Sequence, residues 1–492
     1  MSAKTKAPKQ RSKSKVQSTA YDAVVIGAGI GGLCAAWKLA KQGKRVLLLE
    51  KSHHVGGVIK SEQLNGFLIE HGPNSYTSFG AEEDKFLREI GLSERVLRRP
   101  LKTTDRYIWH SGFLHRVPTG PAGFAVSSLL SFEAKLKIFR AIFKKYIKPT
   151  RHSSLGNWMR NLIGDEAVDT LLKPFFGGIY AADADFASFA DCAPALYDAV
   201  LKCDSLSKVP ATMKAQRKNS IALKLPKSLT SFPNGLSELP TAVHKSLHQL
   251  GAEIRLGVEA VVEKSNPETP HRFKVSWQEN TPCFAYTDQL ILATPAAASG
   301  RILQHIAPEP ARRLSTFQSV PLNVVHVGIK SRYIKEKRQG FGFLTRRNEN
   351  VRMLGSIWSS RIFSGRAPES KTLLTCFYGG QLDAAGNSLS DQALKKMLFA
   401  DLQRTMGLDS SVNPKKAFEL FQVTRWRPAL AAYPLGHSDQ VHAVMRSLPA
   451  GIQLVAGYLG KPALPDRIKA GWAAADQILE AEKTNSSFTA KS

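Results

Sequence analysis

Residues 21–32 read Tyr-Asp-Ala-Val-Val-Ile-Gly-Ala-Gly-Ile-Gly-Gly, an apolar run that leads into closely spaced glycines. The run predicts a buried strand over 21–26, and the pattern after it predicts a helix over 30–42. Residues 45–49, Arg-Val-Leu-Leu-Leu, predict a second buried strand. A strand, a helix and a strand in so short a span form a β-α-β unit, which implies a parallel sheet.

The glycines follow the pattern G-x-G-x-x-G, which is typical of a dinucleotide site. Gly27 allows a tight turn, Gly29 lets the backbone approach a diphosphate, and Gly32 lets the helix pack close to the strand. The helix N-terminus offers unpaired N–H groups to the phosphates. Glu50 ends the second strand, 18 residues after Gly32, where its carboxylate can accept hydrogen bonds from ribose hydroxyls and disfavours a 2′-phosphate.

The segment after Glu50 decides which dinucleotide is expected. It reads Lys51-Ser52-His53-His54-Val55-Gly56-Gly57, and its glycine pair lets the chain fold back over the cofactor. This extension resembles that of the FAD-binding amine oxidase and protoporphyrinogen oxidase superfamily. The resemblance also implies that a helix predicted at 466–480 points its N-terminus at the flavin, where its dipole favours the anionic reduced form.

The composition predicts a folded protein of two or three domains with a strongly basic surface. The chain has 492 residues, 43% hydrophobic and 22% charged. Its net charge of +28 and pI near 9.9 favour anionic partners such as acidic substrates or anionic lipid. A nucleic-acid role rests on net charge alone, so we expect no nucleic-acid partner.

The terminal sequence and the cysteines bear on location. Residues 4–15 carry six Lys or Arg and no acid, and residues 1–20 lack the apolar segment of a signal peptide. The five cysteines are scattered without a C-x-x-C pair, which favours a reducing compartment and no metal site. No run of 18 apolar residues exists, so no spanning helix is expected. These features favour a cytoplasmic protein and leave organelle import open.

The middle of the chain changes character. Residues 121–220 are mostly helical in pattern, and 132–149 predict a basic amphipathic helix, which either packs on its own core or lies on a membrane surface. Further strands are predicted at 286–294 and 452–456, and an antiparallel sheet within 321–378.

A series of motifs, in order along residues 21–480, resembles oxygen-dependent protoporphyrinogen oxidase. They are His71-Gly72-Pro73-Asn74-Ser75, Arg106-Tyr107-Ile108, Gly164-Asp165-Glu166, Lys173 to Ala181 (Lys-Pro-Phe-Phe-Gly-Gly-Ile-Tyr-Ala), Phe232 to Leu236, Gly340 to Leu344, Trp358-Ser359-Ser360, Arg366-Ala367-Pro368 and Phe377-Tyr378-Gly379-Gly380. The matches at 164–181 and 340–380 argue against a flavin amine oxidase or a carotenoid desaturase.

The resemblance implies a mixed α/β (α+β) fold with a Rossmann-like FAD domain of the amine-oxidase type. We predict a disordered basic tail at 1–20. The predicted FAD-binding domain comprises 21–98, 231–299 and 449–482. A mixed-sheet substrate domain comprises 99–116, 209–230 and 300–448, and a helical membrane-docking domain spans 117–208.

The resemblance also implies the site residues. Those expected to bind FAD are Gly27, Ala28, Gly29, Ile30, Gly31, Gly32, Glu50, Lys51, Gly57, Val58, Gly72, Pro73, Asn74, Ser75, Ala260, Trp426, Gly457, Pro462, Ala463 and Leu464. Those expected to bind substrate are Arg106, Gly177, Gly178, Leu344, Ile357 and Phe377. No side chain is assigned a catalytic role, because the flavin performs the chemistry, and no metal is expected.

The activity implied is the FAD-dependent oxidation of protoporphyrinogen IX to protoporphyrin IX, with dioxygen as acceptor and hydrogen peroxide as product. Oxidation of coproporphyrinogen III to coproporphyrin III is an alternative that the basic surface suits. A porphyrin-binding paralogue of low activity is a third hypothesis, because Ala431-Ala432 and Lys461-Pro462 depart from the family pattern. Peripheral membrane contact is expected through the helical domain, and a homodimer is left open.

Overall fold

The computed structural model describes residues 19–218, 227–460 and 462–489. The basic segment 4–15 and Lys461 lie outside this part of the chain. The strands are β1 (Thr19–Ala20), β2 (Ala23–Ile26), β3 (Val46–Glu50), β4 (Ser61–Leu64), β5 (Phe67–Glu70), β6 (Tyr76–Thr77), β7 (Leu97–Pro100), β8 (Arg106–His110), β9 (Phe113–Arg116), β10 (Ser228–Ser231), β11 (Glu253–Leu256), β12 (Val261–Lys264), β13 (Phe273–Gln278), β14 (Pro282–Thr287), β15 (Leu290–Leu292), β16 (Ser319–Lys330), β17 (Gly342–Thr345), β18 (Gly355–Ile357), β19 (Lys371–Gly379), β20 (Phe418–Ala431) and β21 (Ile452–Leu454). The helices are α1 (Ile30–Lys41), α2 (Ala81–Glu89), α3 (Pro121–Val126), α4 (Phe132–Phe143), α5 (Leu155–Ile163), α6 (Asp165–Ala167), α7 (Lys173–Tyr180), α8 (Phe189–Cys192), α9 (Pro194–Lys202), α10 (Val209–Lys218), α11 (Glu238–Gln249), α12 (Ala296–Leu303), α13 (Pro308–Ser315), α14 (Ser359–Ile362), α15 (Ala384–Asn387), α16 (Asp391–Met406), α17 (Pro414–Ala417), α18 (His437–Ser447) and α19 (Leu464–Thr489).

A five-stranded parallel sheet, ordered β11-β3-β2-β15-β21, forms the centre of the first part of the fold. Strand β2 is apolar throughout because both of its faces are covered. Ala23 and Val25 pack with α1, α11 and α19, whereas Val24 and Ile26 face a second core on the other side. The predicted β-α-β unit is confirmed, with β2 and β3 paired in parallel.

A seven-stranded mixed sheet, ordered β20-β16-β19-β18-β17-β8-β9, forms the second part. Its pairs are antiparallel except β17 with β8. The expected antiparallel sheet within 321–378 is therefore present, but one parallel pair joins it to β8. The predicted mixed α/β fold class is confirmed, and every strand of the parallel sheet comes from a segment that we predicted to bind FAD.

Three boundaries differ from the predictions. Thr19 and Ala20 pair with β14, so they belong to an ordered strand rather than to the predicted tail. The strand predicted at 286–294 is two elements, because β14 and β15 lie in different sheets. The late helix begins at Leu464 and runs to Thr489, beyond the predicted 466–480.

The basic amphipathic helix is shorter than predicted, since α4 ends at Phe143 instead of residue 149. Proline disfavours helical backbone at the residue before it, so Pro149 prevents the helix from continuing through Lys148. The Tyr146 N–H donates to the Asp204 carbonyl, and the Trp158 indole donates to the Ile147 carbonyl. These bonds hold the chain after α4 against α5 and the loop after α9. Within the described residues, no helix is long and apolar enough to cross a membrane.

Candidate functional site

The turn between β2 and α1 requires glycine at two of its positions. Gly27 has φ +106°, and a Cβ on it would lie 2.6 Å from the Ala293 carbonyl oxygen. A Cβ on Gly32 would lie 2.1 Å from the Gly27 carbonyl oxygen. A side chain at either place would force β2, α1 and residue 293 apart, so both glycines serve the turn itself.

Gly29 and Glu50 face the opposite, open side of this turn. A Cβ on Gly29 would meet no atom within 4 Å. The Glu50 carboxylate accepts hydrogen bonds from the Ala28 N–H at 2.7 Å, from the Ser52 N–H at 2.8 Å and from the Ser52 hydroxyl at 2.6 Å. These bonds fix the acid beside the turn. An open glycine edge next to an oriented carboxylate fits the diphosphate and ribose of a dinucleotide.

A groove of about 840 Å³ runs along this open side. Its lining includes ten of the predicted cofactor residues, which are Gly27, Gly29, Ile30, Gly31, Glu50, Lys51, Gly57, Val58, Ala260 and Gly457. Its volume lies within the range of about 300–1,000 Å³ that is usual for small-molecule sites. The lining also includes Arg467, Tyr458 and Thr294, which the sequence analysis did not single out.

The other predicted cofactor residues lie elsewhere. Ala28 and Gly32 are buried within the turn. Pro462, Ala463 and Leu464 precede and begin α19, and none of the three lines the groove. Leu464 packs into the core beside α1, so only its backbone is available to a ligand.

The predicted loop 71–75 links the groove to the seven-stranded sheet. A Cβ on Gly72 would lie 2.0 Å from the carbonyl oxygen of groove-lining Val58. Asn74 Oδ1 accepts hydrogen bonds from the hydroxyls of Ser359 at 3.2 Å and Thr375 at 3.4 Å. Pro73 and Ser75 are half-buried.

The backbone and the ring of His71 anchor the same loop. The Trp426 indole donates to the His71 carbonyl at 2.7 Å. The buried His71 ring lies between Glu62 Oε2, at 2.7 Å from Nε2, and Thr424 Oγ1, at 2.6 Å from Nδ1.

His326 lies beside His71, with their rings edge to face at 5.9 Å. It is fully buried, and its Nε2 has no hydrogen-bond partner within the described part of the chain. Burial, with a smaller contribution from His71, lowers the pKa of His326 to about 3. The ring is therefore neutral at neutral pH. Sequence reasoning missed this contact, because His326 is 255 positions from His71 and belongs to no quoted motif.

Four of the predicted substrate residues share one face of the seven-stranded sheet. Leu344 pairs with Gly355, and Gly355 pairs with Phe377, so these three side-chain positions form one row. Arg106 and Ile357 both pair with Gly342 in the adjacent row. Side chains two residues apart in a strand point to the same side, so Arg106, Leu344, Ile357 and Phe377 are co-facial.

The remaining two predicted substrate residues meet this face from α7. A Cβ on Gly178 would lie 2.2 Å from Leu344 Cδ2, and Gly177 is buried beside it. At the rim, the exposed Arg106 guanidinium lies 5.4 Å from the centroid of the Phe341 ring. Thr375 and His326 pair with each other on the same face, so loop 71–75 packs on the sheet beside Ile357 and Phe377. The structure thus brings the predicted substrate residues close to loop 71–75, which we predicted to bind FAD.

A parallel sheet with a glycine turn, an oriented ribose acid and a long groove defines a dinucleotide-binding protein of the Rossmann type. A family model for flavin containing amine oxidoreductases matches residues 30–479. The chain therefore belongs to that family. It is an FAD-dependent oxidoreductase. Among the described residues, no group of three or more His, Cys, Asp or Glu is placed to hold a metal.

Similar proteins are known from plants and bacteria. Protoporphyrinogen oxidase 1 of Spinacia oleracea is 27% identical over 489 residues, covering 93% of this chain and 84% of the relative. Coproporphyrinogen III oxidase of Bacillus subtilis is 25% identical over 475 residues, covering 93% and 97%. Among solved structures, a protein of Exiguobacterium sp. 255-15, provisionally named protoporphyrinogen oxidase, has a TM-score of 0.75 at 23% identity, covering 94% of this chain and all of that one. Putrescine oxidase bound to putrescine has a TM-score of 0.66 at 18% identity, covering 94% and 100%.

Proposed function

We propose that this protein oxidises a porphyrinogen, with protoporphyrinogen IX as the first candidate and protoporphyrin IX as its product. The observation that carries the proposal is that Leu344, Ile357 and Phe377 share one face of the seven-stranded sheet, with Arg106 at its rim and loop 71–75 beside it. The names of the relatives from Spinacia oleracea and Bacillus subtilis support the same substrate class.

The substrate's chemistry fits this surface. A porphyrinogen is a large apolar disc with acidic propionates, so it needs apolar walls and a cation for a carboxylate. Leu344, Ile357 and Phe377 are each half-buried on strands whose other residues are mostly buried, which leaves apolar surface for a ring. Arg106 lies at the edge of that surface, where a propionate would extend from the ring.

Within this proposal the chain binds and orients, and it contributes no acid or base to the reaction. When bound, FAD would supply the acceptor for a hydride from a methylene-bridge carbon of the substrate, and dioxygen would reoxidise it with hydrogen peroxide as product. The wall residues hold the ring against the flavin, Arg106 fixes its orientation, and protons from the pyrrole nitrogens pass to water. Because Gly178 has no side chain, α7 can approach Leu344 closely.

The decisive test is anaerobic addition of protoporphyrinogen IX to the purified holoprotein. We expect the flavin absorbance to bleach and porphyrin fluorescence to appear. Arg106→Leu should raise KM with little change in kcat. Arg116→Leu is the matched control, because Arg116 pairs with Tyr107 and therefore points to the other face of the sheet. A holoprotein that stays yellow with this porphyrinogen and with coproporphyrinogen III refutes the proposal.

Coproporphyrinogen III is the second candidate substrate. It carries four carboxylates where protoporphyrinogen IX carries two, and the chain's net charge of +28 suits the more acidic molecule. Relatives from Bacillus subtilis and Staphylococcus aureus bear the name coproporphyrinogen III oxidase. The ratio of kcat/KM for the two porphyrinogens assigns the substrate. Formation of one hydrogen peroxide per two-electron oxidation would identify dioxygen as the acceptor.

A porphyrin-binding paralogue of low activity is the third candidate. Ala431, one of the two alanines that depart from the family pattern, lines the groove. This candidate predicts that porphyrin binds while the purified protein carries little flavin. A flavin spectrum at near-stoichiometric occupancy would exclude it.

We also propose that the helical segment 117–208 docks on a membrane surface. The rings of Phe139 and Phe143 pack edge to face on α4, and the two residues are 59% and 65% exposed. Ile147, which follows the end of the helix, is 91% exposed. Lys144 and Lys145 are exposed between them. Each lysine near anionic lipid contributes about 1 kcal/mol of binding free energy.

Vesicle sedimentation tests this docking. The double variant Phe139→Ser with Phe143→Ser should lose binding to phosphatidylglycerol vesicles. Phe113→Ser, which changes a 70% exposed phenylalanine outside the segment, should retain it. Equal binding by both variants would contradict the proposal. A homodimer stays a prediction that sedimentation velocity can test.

A further inference from the structure

Arg467 lines the cofactor groove although no motif pointed to it. It lies in the first turn of α19, ten residues after Gly457, which also lines the groove. Its carbonyl oxygen is 3.3 Å from the point where a Cβ on Gly31 would sit, so its backbone adjoins the glycine turn. Side chains on a helix lean toward the helix N-terminus, which directs this guanidinium back along the groove.

Specific contacts hold the guanidinium there. Its Nη2 donates to the Gly460 carbonyl at 2.6 Å. Nearby, the Tyr433 hydroxyl donates to the Gly457 carbonyl at 2.7 Å. Burial lowers the pKa of Arg467, while Tyr433, Asp466 and Tyr458 act in the opposite direction. A guanidinium stays protonated in a protein at neutral pH, so the groove contains a desolvated positive charge.

The position of Arg467 along the groove indicates which part of FAD it meets. Glu50 and Ala260 mark the adenosine end, and Gly29 marks the diphosphate. On the far side, the Tyr433 ring packs against Tyr180 of α7 at 5.9 Å, and α7 also carries Gly178 of the substrate wall. Arg467 therefore lies between the diphosphate position and the substrate surface, which is where the isoalloxazine must reach.

We propose that Arg467 places a permanent positive charge beside the bound isoalloxazine and stabilises the anionic reduced flavin. The proposal rests on the FAD assignment but does not depend on which substrate is oxidised. A charge near the flavin ring tunes its reduction potential, and low local polarity strengthens that interaction. Arg467 thus adds a side-chain charge to the weaker field of the α19 N-terminus.

The test is the two-electron potential of the bound flavin, measured by dye-linked titration of the holoprotein. Arg467→Gln should weaken binding of reduced relative to oxidised FAD about tenfold, which corresponds to a potential about 30 mV more negative. Arg467→Lys should retain most of the wild-type potential because it keeps the charge. Arg312→Gln is the matched control, since Arg312 is exposed on α13 and is not part of the groove lining, and the flavin potential should not change.

If Arg467→Gln fails to fold, Arg467→Met is measured in its place, because methionine keeps the aliphatic part of the side chain. A glutamine or methionine variant with the wild-type potential overturns the proposal, even if its FAD dissociation constant rises, because the charge would then serve the diphosphate alone. Equal shifts in the Arg467 and Arg312 variants also overturn it, since the effect would reflect net charge. A wild-type protein that binds no FAD would instead contradict the flavin assignment itself, before any potential is measured.

Discussion

Gly29 separates the requirements of cofactor binding from those of folding. Its φ of −63° and ψ of 163° lie in extended backbone that alanine also adopts. A Cβ there meets no protein atom within 4 Å. In Gly29→Ala the apoprotein therefore loses only the small preference for glycine over alanine at a helix N-cap. We expect the free energy of unfolding of the apoprotein to fall by less than about 1 kcal/mol.

Binding of FAD should suffer much more from the same methyl group. We expect the diphosphate to approach the backbone N–H groups on the open side of Gly29, and the methyl group would hold it away. Losing one charge-assisted hydrogen bond costs about 1.5–3 kcal/mol, which weakens binding roughly 10- to 150-fold. Calorimetric titration of apoprotein with FAD measures this loss, and urea denaturation measures the stability.

Two further variants sharpen this experiment. Gly120→Ala places a methyl group at another open helix N-cap, that of α3 outside the groove, and should change neither quantity much. Gly32→Ala, with its Cβ 2.1 Å from the Gly27 carbonyl oxygen, should destabilise the apoprotein by about 1–3 kcal/mol or more. The reasoning is refuted if Gly29→Ala binds FAD as tightly as the wild type does, or if it unfolds as easily as Gly32→Ala.

Three other predictions concern the contact between α7 and Leu344, the buried His326 and the anchoring of loop 71–75. Gly178→Val should raise KM for the porphyrinogen, because the valine side chain would overlap Leu344. Adding Leu344→Ala should restore part of the loss. An unchanged KM in the double variant would contradict the close contact. The pKa of His326 is about 3 in the folded protein and about 6.5 in the unfolded chain. As the pH falls below about 6.5, the unfolded chain therefore binds a proton that the folded protein does not, and the free energy of unfolding decreases. Between pH 7 and pH 5 the wild type should lose about 2 kcal/mol more than His326→Gln in urea denaturation, and parallel pH profiles would refute this. Trp426→Phe removes the donor to the His71 carbonyl and should cost about 1 kcal/mol by the same measurement, with an unchanged midpoint as the contrary result.

The dinucleotide half of the site was predictable because its signals are local. Gly27 and Gly32 lie within one turn, and both are required by contacts to neighbouring backbone. Glu50 ends the very next strand and bonds back to Ala28. All residues that indicate a dinucleotide site in a β-α-β unit therefore lie within fewer than forty consecutive positions. The strands and the helix around them are predicted from hydrophobic periodicity.

The substrate half depended on resemblance, because its geometry is set by sheet register. Nothing in the sequence aligns Leu344 with Gly355, or Gly355 with Phe377, until three separate strands have paired. Arg467 was missed for a related reason. An arginine early in a helix is usually solvated, and only the packing of α19 against α1 directs this one into the groove.

The hydrogen bonds of loop 71–75 make the cofactor groove and the substrate face one structural unit. His71 and Asn74 are bound to Thr424 and Thr375 of the seven-stranded sheet, while Gly72 touches the wall of the groove. These bonds are partly buried, and breaking each of them costs about 0.5–1.5 kcal/mol. A sliding motion between flavin and substrate wall would break several of them together. We therefore expect this network to keep the cofactor groove and the sheet face in a fixed relation, and substitutions of Thr375 or Asn74 should disturb FAD binding and substrate KM together, whereas Arg106 variants should disturb KM alone.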